Sequence, residues 1–302
     1  MSSANSSKAV LLALLANGGI AVSKFVVFGI TRSSSLLTEG IHSTADCINQ
    51  VLLFIGMRQG AKPADPKHPL GKGQAAFVAS FMVALLLFSV GGIYSVVEGL
   101  HKIRHPEAPH DLGWAVGLLL FAIGLEGYSM GGALQAAKAE RGSMPLLRYL
   151  RRSSRTELVV VLAEDFAALV GLVLALAAVL LVMATGNPVW DGIGSVCIGV
   201  LLIGVAWFVG VEVTSLLLNE APPLALRAAI RAAVDEDPEV VACLNLIAVI
   251  IGAEQLMVSL QVKFRPQPSG DALVDAINAL EKRLRERFPQ IRHLFVEPDH
   301  EA

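Results

Sequence analysis

The chain has 302 residues, 54% of them hydrophobic and only 17% charged, with a formal net charge of −2. That balance argues against an ordinary soluble domain and gives no electrostatic ground for nucleic-acid binding. Its three cysteines, Cys47, Cys197 and Cys243, show no CxxC and no pairing pattern, and do not read as a disulfide framework or a thiolate metal cluster.

Taken in order, hydropathy predicts six spans, at roughly 9–30, 35–57, 75–99, 112–136, 157–184 and 189–217. The first resembles a signal peptide at its start, with Lys8 before an apolar stretch. It runs on to Ile30, spanning length, and is read as a retained helix. An even number of spans puts both ends on one side. Connections 58–74 and 138–156, with Lys8, carry eleven basic residues, against Arg32, Lys102 and Arg104 on the other face. The positive-inside rule then places both termini in the cytoplasm of an inner or plasma membrane.

After Ala221-Pro222-Pro223 the composition turns polar, so the expected division is a membrane domain over 1–221 and a soluble domain over 222–302. Leu224–Asp235 reads as a helix. Val240–Ile251 and Gln255–Phe264 read as strands, with the turn at Gly252 and Ala253. Asp271–Phe288 reads as an amphipathic helix with Leu273, Ile277, Leu280 and Leu284 as its stripe, and Ile291–Val296 as a last strand. The fold class expected is an all-α six-helix transmembrane domain followed by an α-β-β-α-β cytosolic layer.

Within the second span, LTEGIHSTADCINQ places Glu39, His42 and Asp46 three and four apart, on one helical face. A charge at bilayer depth costs at least about 2.5–3.5 kcal/mol, so this stripe needs a return. His42 and Asp46, one turn apart, suit chelation of one divalent ion. Glu39, nearer the span's end, has pairing with Lys24 or contact with water as alternatives. Glu164 and Asp165 in the fifth span point about 100° apart, so the expectation is that one ligates and the other serves a neighbouring helix or a proton path, the alternative being that both face a wide aqueous vestibule. Glu126 in the fourth span has two readings, a proton relay or a partner for Lys24. Asn49 and Gln50 supply a weak oxygen ligand or an interhelical hydrogen bond, the bond being the better reading. One histidine with several carboxylates suits zinc above other cations. Protons compete with metal for such a site, and there is no GxxxxGK[ST] loop for nucleotide. No nucleophile–base pair or organic-cofactor motif stands out, so an enzyme is not expected.

SLLTEGIHSTAD, DPKHPLGKGQ and NEAPP together resemble the cation diffusion facilitator family of zinc and divalent-metal/proton antiporters, across nearly the whole length. The resemblance implies a ferredoxin-like cytosolic tail, a homodimer, and a site built from His42 and Asp46 with Asp165. The family's fifth span usually carries a second HxxxD or DxxxD pair. Aligned on Asp165, its first position here is Val161, so Glu164 or a water replaces that ligand. The LAED arrangement with Glu126 is similar to the zinc-transporter-nine branch. In the 58–74 turn Lys72 stands where the family often has His, leaving Asp65 and His68 as a weakened loop site. The expected function is export of zinc in exchange for protons across the bilayer. The alternatives are a transporter of manganese, iron(II) or cobalt, and a non-transporting scaffold or regulatory subunit.

Overall fold

The structure is a computed structural model that describes residues 18–32, 34–106, 112–151 and 153–300. Its contacts divide it into two compact units. One gathers the described residues of 18–56, 78–151 and 156–213; the other gathers those of 57–77, 153–155 and 214–300.

The first unit is helical. Its elements are α1 (Gly18–Thr31), α2 (Ser34–Gly60), α3 (Ala75–Leu86), a π-helical segment (Leu87–Ile93) that continues into α4 (Tyr94–Arg104), α5 (Leu112–Arg141), the short α6 (Leu146–Leu150), α7 (Thr156–Thr185) and α8 (Val189–Leu217). Among the described residues, four helices are long and apolar enough to cross a membrane: Ala75–Arg104, Leu112–Lys138, Leu158–Thr185 and Val189–Leu217. The other two expected spans differ for separate reasons. The first lies partly outside the described residues, leaving 18–31. The second is long enough at 27 residues, but Glu39, His42, Asp46, Asn49 and Gln50 dilute its apolar character.

Residue type explains the breaks. Gly186 (φ 67°) ends α7, because the left-handed conformation there costs glycine little. Pro188 follows, and α8 opens with Asn187 Oδ1 accepting from the Val189 N–H at 3.1 Å and Asp191 in the first turn. Leu36, Leu119, Leu172, Ile198 and Leu202 share one buried core, contributed by α2, α5, α7 and α8.

The span Ala75–Arg104 meets α8 through glycines. A Cβ on Gly99 would lie 2.6 Å from Gly192 O, and one on Gly199 would lie 2.8 Å from Gly92 O. Each pair is seven residues apart along its helix, two turns, so both contacts fall on one face. The helices therefore approach backbone to backbone, the close packing small residues allow where no hydrophobic effect drives association. Gly99→Val is expected to destabilise the helical unit by about 3 kcal/mol, the upper end for overpacking, in denaturant unfolding of the detergent-solubilised protein.

The second unit contains α9 (Leu224–Asp235), β1 (Val240–Gly252), β2 (Gln255–Phe264), α10 (Gly270–Arg287) and β3 (Ile291–Pro298). The sheet order is β1-β2-β3, with β1 antiparallel and β3 parallel to β2. The element order and alternation match the sequence reading. Leu256, Val258, Leu260 and Val262 are buried on β2, and Leu280 and Leu284 on α10, where Leu273 and Ile277 are half-buried. Ser269 caps α10 by accepting from the Ala272 N–H at 3.2 Å. The β1–β2 turn is corrected by one position. It consists of Ala253 and Glu254, with Glu254 at φ 54°, while Gly252 stays in the ladder opposite Gln255. The reason is a neighbour: a Cβ on Gly252 would lie 2.8 Å from Gly73 Cα, so glycine is needed there for contact rather than for the turn.

Candidate metal and proton site in the membrane helices

The polar stripe of α2 is read by two other helices. Toward α1, Lys24 is wholly buried, and its Nζ donates to Glu39 Oε2 at 3.1 Å and to Ser43 Oγ at 2.7 Å. Toward α7, Asn49 Nδ2 donates to Glu164 Oε1 at 2.5 Å. Glu39 also touches α7, since a Cβ on Gly171 would lie 2.7 Å from Glu39 Oε1. Advancing from 39 to 49 on α2 thus corresponds to retreating from 171 to 164 on α7. The two helices run antiparallel, and His42 and Asp46 lie between those contacts.

Among the described residues, Glu39 Oε1, Asn49 Oδ1 and Gln50 Oε1 are buried without a partner, but Glu39 and Asn49 each make a hydrogen bond through their other polar atom, whereas His42 has none at either ring nitrogen. Asp46 Oδ2 sits 3.5 Å from His42 Nε2, within ion-pair range but outside hydrogen-bonding geometry. His42 Nδ1 and Nε2 and Asp46 Oδ1 are buried and have no hydrogen-bond partner among the described residues. Buried polar atoms are ordinarily satisfied, because leaving one bare costs about 1–3 kcal/mol. Three bare atoms on one helical turn are a donor set without an acceptor, of the nitrogen and oxygen type that suits a borderline divalent cation.

The adjacent acids of α7 bond to different helices, as a 100° separation allows. Glu164 faces α2 through Asn49, and Asp165 accepts from Ser129 Oγ of α5 at 3.2 Å. Asp46 lies within electrostatic reach of Lys24, Glu39 and Asp165. Glu126 lies within reach of Asp46, Lys24, Asp165 and Glu39. Lys24, Glu39, His42, Asp46, Glu126, Glu164 and Asp165 are thus linked by electrostatic reach, each to at least one other of the set. Among the described residues, no three His, Cys, Asp or Glu side chains converge closely enough to hold one ion. Two alternatives are decided. Glu39 is buried rather than open to water, and the acid paired with Lys24 is Glu39 rather than Glu126. Ser43, Ser129 and Gly171 escaped the sequence reading. Ser43 stands four after Glu39 and Ser129 three after Glu126, so helical spacing from a buried acid was the available signal.

The loop pair is arranged differently. Asp65 Oδ1 accepts from the backbone N–H of Lys67 at 3.0 Å and of His68 at 2.7 Å, and lies 3.0 Å from His68 Nδ1. Its Oδ2 pairs with Lys72 Nζ at 2.7 Å. Both oxygens are thus engaged in holding a turn. The turn is tied to the small sheet, with His293 Nε2 donating to Leu70 O at 3.2 Å and Gly73 against Ile251. The Lys72 ammonium and then the His68 bonds hold the Asp65 carboxyl well below the usual carboxylate range. A depressed carboxylate stabilises the fold above its unfolded pKa of about 3.9 and loses that contribution as pH falls through the folded value. The Asp65 contribution is accordingly expected to be constant from pH 5 to 8. Asp65→Ala should raise protease cleavage in 61–72 equally across that range, and a pH-dependent increment would contradict this.

The family profile described as the cation efflux transmembrane domain matches residues 10–218. The proton-coupled zinc antiporter SLC30A9, mitochondrial, of Xenopus laevis is 28% identical, covering 96% of this chain and 59% of that protein. The human protein of the same name is 27% identical, covering 96% and 58%. Metal tolerance protein C4 of Arabidopsis thaliana is 34% identical over 68% of this chain and 45% of its own length. The chain therefore spans about three fifths of the length of the SLC30A9 proteins it matches.

Proposed function

The chain belongs to the cation efflux family, and from that premise we propose that it exports zinc from the cytoplasm in exchange for protons. The observation that carries the reading is the set of bare, buried donor atoms on His42 and Asp46. Zinc needs the imidazole neutral and the carboxylate ionised, so every proton gained by the pair opposes metal and every metal ion bound releases protons. That competition links the two fluxes without nucleotide.

In this proposal His42 and Asp46 are the first ligands and Asp165 joins from α7, with Glu164 as the fourth candidate in place of the missing acid at Val161. Asn49 and Ser129 orient the two α7 carboxylates from α2 and α5. Lys24, Glu39 and Glu126 adjust the charge around the cage. Closure of α7 onto α2 would complete coordination, and reopening toward the other side would release the ion. We take six spans with both termini cytoplasmic, residues 1–221 as transport domain, 222–302 as cytosolic domain, and a homodimer as the working unit. The SLC30A9 relatives are named as proton-coupled zinc antiporters, which supports zinc over manganese, iron(II) or cobalt.

Proteoliposomes enclosing a zinc indicator test the reading. Zinc should move against an imposed proton gradient and stop when a protonophore dissipates it. Zinc movement indifferent to the gradient would overturn antiport, and movement of manganese, cobalt or iron(II) alone would overturn the choice of metal.

A further inference from the structure

Opposite the face of α7 that meets α2, Leu162, Ala163 and Phe166 form one wall of a cavity of about 480 Å3. Its other walls come from α5, α6 and α8, and among the described residues no charged, amide or hydroxyl side chain lines it. The cavity opens outward, for Leu147 is 58% exposed and Phe166 49% exposed. At Gly204 of α8 a Cβ would meet nothing within 4 Å, so the missing side chain makes part of the space.

The short helix α6 stands at this cavity with two unlike sides. Leu146, Leu147 and Leu150 line the cavity, and Tyr149 is buried with Ala137 and Leu162, which anchors the helix to α5 and α7. Arg148 and Arg151 are exposed. Arg141 is occupied nearby, its Nη1 donating to Met144 O at 2.5 Å. The surrounding stretch 138–156 carries six basic residues against one acid, Glu140.

We propose that this groove holds one acyl chain of an anionic phospholipid, with the phosphate gripped by Arg148 and Arg151. An apolar wall offers nothing to an extended peptide, whose N–H and C=O groups would go unsatisfied there, whereas hydrocarbon needs no partner. Two arginines beside the groove select phosphate over a neutral surface and favour a lipid with net negative charge over a zwitterion. The site is separate from the His42–Asp46 pair and independent of which metal is carried.

Native mass spectrometry of the purified protein with equimolar phosphatidylglycerol and phosphatidylcholine tests the assignment. One tightly retained phosphatidylglycerol is expected, preferred about thirtyfold, the ratio two surface arginines supply. The double variant Arg148→Gln/Arg151→Gln should bring the two lipids to parity. Gly204→Leu, whose side chain enters the groove, should remove the retained lipid altogether; if it does not fold, the arginine variant decides alone. Equal retention by the parent protein, or an unchanged preference in the arginine variant, would overturn the proposal. So would efficient Leu147→Cys cross-linking between two copies in a bilayer, which would make the occupant a second copy of the chain.

Discussion

Asp46→Ala is expected to lower gradient-driven zinc flux by at least about 100-fold, more than the loss typical when a group supporting a metal ligand is removed. The same variant is expected to unfold no earlier than the parent protein. Both expectations come from one observation. Asp46 Oδ1 has no hydrogen-bond partner among the described residues, and Oδ2 has only the His42 contact at 3.5 Å. Truncation therefore breaks no hydrogen bond of the fold and removes a group whose burial is itself costly. A residue held for packing would show the opposite pattern, with stability lost and flux falling only in proportion to folded protein. Parallel measurement of zinc flux in proteoliposomes and denaturant unfolding in detergent separates the two. Flux at the parent rate would remove Asp46 from the transport site. Asp165→Ala should also abolish flux, at a small cost in stability, because the Ser129 hydroxyl loses its acceptor.

What the sequence made legible followed from periodicity. Alternation on β2 and the Leu280–Leu284 stripe of α10 have periods 2 and 3.6, and both segments fold accordingly. Long apolar runs predicted the four clear membrane helices, and the three-and-four spacing of Glu39, His42 and Asp46 predicted their common face. Pairing between helices was not legible, because spacing along one helix says nothing about its neighbour. Lys24 had two acids within its choice, and only packing selects Glu39. The Gly92 and Gly99 contacts with Gly199 and Gly192 require two helices to be laid side by side. The π-helical segment Leu87–Ile93 has no composition of its own, and its Gly91-Gly92 pair gains meaning only from the approach of α8. Likewise Gly252 resembled a turn residue until Gly73 was found against it.

Lys24→Met is expected to destabilise the helical unit by about 3–5 kcal/mol, the range for removing one partner of a buried ion pair. Lys24 and Glu39 are both fully buried, and the ammonium bonds Glu39 and Ser43 together. Without it Glu39 Oε2 joins Oε1, which already has no partner among the described residues, and a whole carboxylate is left bare. Adding Glu39→Gln should recover a large part of the loss, since an amide is far cheaper to bury than an unpaired charge. The double-mutant cycle measures this coupling directly. Near-additive losses would mean that Lys24 stabilises through its hydrocarbon stem rather than its charge. Denaturant unfolding of the four proteins, made alongside the Asp46→Ala pair, contrasts a polar group whose bonds hold helices together with one kept bare for a passing ion.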